Sequence, residues 1–296
     1  MRTFPKVMSE IQDDPAVSAM RRMFLFLLVI TIIAWLLHPP AVSASLLNDL
    51  PQSFAVLGSS TVTSVGSTTI HGDLGLYPGT SVTGFPPGVV IGTIHVTDAV
   101  AEQMRTASFS AYNALAGRPV TVVLTGQDLG GLTLTPGVYK FDTSAQLTGI
   151  LTLDFSSNPQ GDFVFQIGST LTTASSSVVN VTNGSPLSGV YWQVGSSATL
   201  GTDSSFVGNI LANTSITLTT SSNILSGRAI ALNGAVTMDT NTIYNDNSVA
   251  DFGSYGYSGG NGGEVPEPST ILLLGVGVAG FMALRKSRNK VGTGAV

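Results

Sequence analysis

The stretch from Asp162 to Ile243 repeats a short pattern, and that recurrence narrows the possible folds more than any other feature. Four blocks place a threonine, a large apolar residue, a spacer and a second threonine: Thr170-Leu171-Thr172-Thr173, Thr199-Leu200-Gly201-Thr202, Thr217-Leu218-Thr219-Thr220 and Thr237-Met238-Asp239-Thr240. Successive side chains of an extended chain point to opposite faces. Leu171, Leu200, Leu218 and Met238 are therefore expected in one inward column, with Thr170, Thr199, Thr217 and Thr237 in an outward one. Leu200, Leu218 and Met238 follow one another at nearly equal intervals, and the same interval separates Gly208 from Gly227 and Ala212 from Ala231. A recurrence of that length, built from short β runs and turns, fits one coil of a β-solenoid, in which each coil buries its apolar column on the next. A β-sandwich is the structural alternative, but its strands need not recur in register.

Organisation along the chain follows from composition. Basic Arg21-Arg22, an apolar run from Met23 to Leu37 and Val42-Ser43-Ala44, with small residues at the −3 and −1 positions of a cleavage site after Ala44, read as a secretory signal peptide within residues 1–44. Residues 45–243 read as one β-rich domain, 244–264 as a flexible Gly-, Ser- and Asn-rich linker, and 265–290 as a sorting tail. Within the domain and linker, four basic residues face thirteen acidic ones, a net charge of −9, which excludes the clustered basic surface that nucleic acid requires. The absence of cysteine removes disulfides, thiolate metal sites and cysteine nucleophiles together.

One helix is expected, from Asp98 to Ala116. Val100, Met104, Ala107, Ala111 and Leu115 form its apolar stripe, Thr97 or Asp98 its cap, and Gly117 with Pro119 its end. It lacks a basic polar face, so it is expected to pack on the β body rather than on a membrane. No metal site is predicted. His71 and His95 have no third ligand nearby, and Asp128, Asp142, Asp154 and Asp162 are scattered rather than clustered as a glycan-cleaving site would need. The chain is accordingly read as a non-enzyme.

The tail is similar to the Pro-Glu-Pro C-terminal sorting signal of Gram-negative bacteria. Pro266-Glu267-Pro268 is followed by an apolar run over 271–284 and then by Arg285-Lys286-Ser287-Arg288. That resemblance implies delivery by the secretion machinery and transient inner-membrane insertion through 271–284. It further implies recognition by an exosortase-type transpeptidase and release or attachment at the cell surface.

Leu57 to Ile243 resembles the microbial ice-binding protein family of the discontinuous right-handed β-helix type. The resemblance rests on Gly72-Asp73-Leu74-Gly75, the Asp98–Ala116 helix, Leu132-Thr133-Leu134-Thr135-Pro136-Gly137, Asp162-Phe163-Val164-Phe165-Gln166-Ile167, Val190-Tyr191-Trp192-Gln193-Val194 and Gly234-Ala235-Val236-Thr237. It implies a mainly β fold, a β-solenoid of triangular cross-section with one long α-helix packed alongside. It also implies a flat, exposed β-face that adsorbs to ice without a cofactor. Some members carry Thr, then Ala or Gly, any residue, and Thr or Asn on that face. The matching positions here are Thr173 to Ser176, Thr202 to Ser205 and Thr220 to Asn223; only the first keeps the small second residue, and Asp203 brings a charge. The expected ice-binding face is therefore Thr170, Thr173, Ser176, Thr199, Thr202, Ser205, Thr217, Thr220, Asn223 and Thr237. The competing reading is a structural or adhesive protein of the cell surface and exopolysaccharide matrix, with Tyr191, Trp192 and Asn209 lining a sugar groove.

Overall fold

The computed structural model describes residues 53–185 and 188–245. The expected signal peptide, most of the expected linker and the sorting tail with its apolar run over 271–284 lie outside the described residues. Among those described, no helix is long and apolar enough to cross a membrane. Tyr244, expected to open the linker, instead closes the last strand, Thr242–Tyr244.

The chain winds in coils that place one strand on each of three faces, and every strand pairs in parallel with its equivalent in the next coil. The first face, in spatial order, holds Val122–Val123, Gly137–Phe141, Asp162–Ile167 and Gly189–Val194, then the second halves of Ser205–Ala212 and Asn223–Ala231. It continues through Phe54–Gly58, Asp73–Leu76 and Ile94–Val96. The second face is a separate seven-stranded sheet: Ala145–Leu147, Leu171–Thr173, Ala198–Leu200, Ile216–Leu218, Val236–Asp239, Thr61–Val65 and Ser81–Thr83. The third face runs from Thr133–Leu134 through Ile150–Asp154 and Val178–Thr182, the starts of the two long strands, Thr242–Tyr244 and Thr69–His71 to Val89–Ile91.

Spatial order and chain order differ at one place. The N-terminal coil stacks on the C-terminal coil, Val56 pairing with Ala229 and Val62 with Val236. After Val96 the chain is therefore at one end of the stack and must restart at the other. The single helix among the described residues, α1 (Ala99–Ala116), makes that return along the first face. Eight strand steps at about 4.8 Å is about 38 Å, whereas 18 helical residues cover about 27 Å. The residues on either side of α1 supply the remainder.

Asp98 caps α1 by accepting from the Ala101 N–H at 2.8 Å. Its buried stripe is Ala101, Met104, Ser108, Ala111 and Leu115, packed on Leu57, Val164, Tyr191, Leu211 and Ile230. This corrects the expected stripe at two positions: Val100 is 38% exposed, and Ser108 faces the sheet with its hydroxyl donated to Met104 O. An internal hydrogen bond lets a serine take a buried helical position that apolar periodicity would not assign to it.

Inside the coils, Tyr139, Phe165, Trp192, Ile210, Ala229, Val56 and Leu74 form one column in register. Aromatic rings fill it at one end: Phe165 stacks on Trp192 at 3.9 Å between ring centres, and Phe206 of the next coil packs on Trp192 at 4.9 Å. From Ile210 to Leu74 the column is aliphatic. The recurrence seen in the sequence is realised directly, since Gly208 pairs with Gly227 and Ala212 with Ala231.

Candidate functional site

The second face carries a continuous outward ladder. Gln146 pairs with Thr172, Thr172 with Thr199, Thr199 with Thr217, Thr217 with Thr237, Thr237 with Thr63, and Thr63 with Thr83. Six threonines thus stand one per coil on adjacent strands. Each is the last residue of a small-apolar-Thr triplet: Thr170-Leu171-Thr172, Ser197-Ala198-Thr199, Ser215-Ile216-Thr217, Ala235-Val236-Thr237, Thr61-Val62-Thr63 and Ser81-Val82-Thr83. The middle residue points into the core, and the first residue opens a second outward column of Ser, Thr and Ala. Thr170 belongs to this second column, where its hydroxyl donates to Ser144 Oγ at 2.8 Å. Asp239 is the one charged residue in the seven strands. It lies at the margin, where its carboxylate accepts from the Thr220 and Thr240 hydroxyls.

The structure therefore brings Thr199, Thr217 and Thr237 together as expected but corrects the column at its first member. Leu171 pairs with Ala198, so Thr172, not Thr170, aligns with Thr199. The coil between them is lengthened by the loop after Thr182, and matching the blocks by their Thr-Leu pairs, Leu171 with Leu200, slips by two residues there. Thr173 is 3% exposed and points inward, accepting from the Gly201 N–H at 2.8 Å. Ser176 and Asp203 occupy the corner after this sheet, with φ of 57° and 56°. Thr202 and Thr220 flank that corner; Thr202 Oγ lies 3.4 Å from Thr219 Oγ. Ser205 and Asn223 pair with each other on the third face, beyond the corner. Thr172, Thr63 and Thr83 are ladder members absent from the expected face; each closes the recurring triplet, but Thr133-Leu134-Thr135 on the third face matches it too, so register is what places them.

The corner itself is rigid. Ser177, Ser204 and Ser222 are almost wholly buried one residue beyond it, and Ser204 and Ser222 return their hydroxyls to Gly201 O at 2.6 Å and Thr219 O at 2.8 Å. Asn241 takes the same place in the last coil and donates to Ser222 O at 2.7 Å. A column of satisfied buried hydroxyls holds the sheet edge straight from coil to coil.

The groove proposed for a sugar is not available. Trp192 and Asn209 are fully buried and Tyr191 nearly so, with the indole N–H donated to Val207 O and Tyr191 packed under α1. The scattered carboxylates serve local structure. Asp128 accepts from the Gly130 and Thr148 N–H groups, Asp142 meets Lys140, Asp154 binds Asn183 and Ser156, and Asp162 meets Arg118 at 2.7 Å. Among the described residues, no three His, Asp or Glu side chains gather as metal ligands.

Fold and face together define a discontinuous parallel β-helix with one nearly uncharged threonine sheet. Residues 56–244 match the ice-binding-like family, and the chain belongs to that family. Residues 264–288 match the PEP-CTERM protein-sorting motif, which marks the chain for export. The chain is 48% identical to an ice-binding protein of Nostoc sp. (strain HG1), over 91% of this chain and 97% of that one. It is similar to the crystal structure of an ice binding protein from an Antarctic biological consortium (47% identity, TM-score 0.62, covering 65% of this chain and 87% of that chain). It is also similar to the ice-binding protein of the Antarctic ascomycete Antarctomyces psychrotrophicus (42% identity, TM-score 0.63, covering 67% and 96%).

Proposed function

We propose that the protein adsorbs to ice through its second face, with Thr172, Thr199, Thr217, Thr237, Thr63 and Thr83 as the central contact column. Thr170 and the neighbouring serines form a parallel second column, and Ser176, Thr202 and Thr220 lie along the margin. The observation that carries this reading is the six-threonine ladder. Parallel coils hold equivalent side chains about 4.8 Å apart, and alternate residues along a strand lie about 7 Å apart, so the face is a fixed two-dimensional array. β-Branching restricts each threonine to few rotamers, while its methyl and hydroxyl groups order water without a charge that would retain a liquid-like shell. A preorganised array loses little entropy on contact, and repeated weak contacts sum over the face. Nothing is turned over and no cofactor takes part.

Export follows the sorting motif, and we infer processing by an exosortase-type transpeptidase at the surface of a Gram-negative cell. The test is direct: ice crystals are grown in the purified Ser45–Glu264 fragment. Faceted crystals and a measurable thermal hysteresis are expected; smooth discs with no hysteresis would overturn the reading.

A further inference from the structure

The chain leaves the β-helix at the vertex opposite the threonine face. Strand Thr242–Tyr244 lies on the third face, and the next residue, Asn245, stands at the corner between that face and the helix-bearing first face. The second face is the side of the coil that does not touch this corner. Asn245 is 2% exposed and clamped: its N–H donates to His71 O at 2.9 Å and its side-chain amide to Phe54 O at 2.9 Å. The chain enters at the same corner. Ser53 O accepts from the Asp73 N–H at 2.6 Å, and a Cβ on Gly72 would meet Ser53 O at 2.6 Å and Asn245 O at 3.2 Å, so entry and exit lie side by side. Beyond Asn245 the sequence runs through a Gly-, Ser- and Asn-rich stretch to the sorting motif that begins at residue 264.

A tether attached at this vertex pulls on the domain from directly behind its threonine face. We propose that the chain, while held by its sorting tail, is an ice adhesin that presents the threonine face away from the cell and fastens the cell to a crystal. The inference rests on the ice-binding reading above. It adds a second function for the same face, because many copies on one cell engage one crystal together and hold far more tightly than a single domain. A freely diffusing inhibitor needs no particular exit point; a surface-held one works only when the exit lies behind the contact face.

The experiment uses the full chain displayed by a bacterium that carries the exosortase. Cells are allowed to settle on a growing ice front, washed, and counted, with display measured by antibody on intact cells. Cells displaying the chain are expected to be retained about tenfold or more over cells in which the chain stops after Glu264. Thr217→Tyr should abolish retention at unchanged display. Deleting Ser248 to Gly259 shortens the chain between the exit and the sorting motif, and retention is expected to persist. Loss of retention on shortening, at normal display, overturns the proposed orientation. Displayed cells that are not retained, while the chain released into the medium still facets ice crystals, overturn the adhesin proposal and leave the ice-binding reading standing. Released chain without effect on ice overturns both.

Discussion

Thr63 and Thr237 stand opposite one another on adjacent coils, although they lie near the two ends of the folded chain. Between them the stack passes from its last coil to its first without a break in the ladder. The array that faces solvent is therefore longer than any contiguous stretch of sequence could build, and it crosses the seam where the N-terminal coil seats on the C-terminal one.

Thr63→Tyr tests that continuity. The bulky ring should interrupt the ladder as Thr217→Tyr does, and both variants should lose most of the thermal hysteresis. Their stability should remain within about 0.5 kcal/mol of the parent, since the position is a strand surface. Hysteresis unchanged in Thr63→Tyr but lost in Thr217→Tyr would confine the contact face to the coils after Gly168.

Thr173 provides the opposite case. Its hydroxyl accepts from the Gly201 N–H inside the coil. Thr173→Val removes that bond and leaves the partly buried Gly201 N–H without its partner, at a cost of about 1 kcal/mol. Urea unfolding should register the loss, while hysteresis measured on folded protein stays at the parent value.

Trp192 sits between Phe165 and Phe206, its ring centre 3.9 Å and 4.9 Å from theirs, and is wholly buried. Trp192→Ala should destabilise the domain by about 3–5 kcal/mol. Because the ring is buried, the parent's tryptophan fluorescence at this position should be blue-shifted and insensitive to added oligosaccharide; quenching by a glycan would restore the sugar-groove reading.

Gly227 adopts φ +138° at the corner where the third face turns into the first, and a Cβ there would collide with the Gly208 carbonyl of the neighbouring coil. Gly227→Ala is expected to cost about 1–3 kcal/mol from backbone strain alone, with the steric contact added. Thermal unfolding reads the effect.

Acid should loosen the cap of α1. The Ala101 N–H bonded to Asp98 lowers the pKa of its carboxyl; partial desolvation opposes this and His95 adds to the lowering. A carboxyl lowered in the folded state contributes stability that is present above its ordinary value, near pH 4, and is lost as pH falls through the folded value. Asp154, lowered chiefly by the Asn183 amide, contributes with the same sign. Melting temperature should therefore fall below about pH 4. In Asp98→Asn, which keeps a capping oxygen, that slope should be shallower. The six-threonine column holds no titratable group, so hysteresis should be flat with pH wherever the domain stays folded.

The regular recurrence of Gly208 with Gly227 and Ala212 with Ala231 favours a solenoid over a sandwich, because a coil that must bury its inward column on the next repeats its small residues at the coil length. The same spacing places Leu200, Leu218 and Met238 in one column, and the three- and four-residue apolar spacing marks α1, with its cap at Thr97 or Asp98. Local sequence carries these features because each depends on residues within one coil or one helical turn. The site is legible only where coils are nearly equal in length. Thr199, Thr217 and Thr237 stand in such coils, and their alignment can be read directly from their spacing. Thr172, not Thr170, takes the place beside Thr199 that block matching implies, because the loop after Thr182 lengthens the coil that joins Phe163 to Val190. Tertiary structure alone decides that Thr63 and Thr83 extend the ladder, that Thr173 turns inward, and that Tyr191, Trp192 and Asn209 are core. It alone puts the exit at Asn245 behind the threonine face. Each of these depends on which coil seats on which, and the helix that carries the chain back along the stack separates that order from the order of residues.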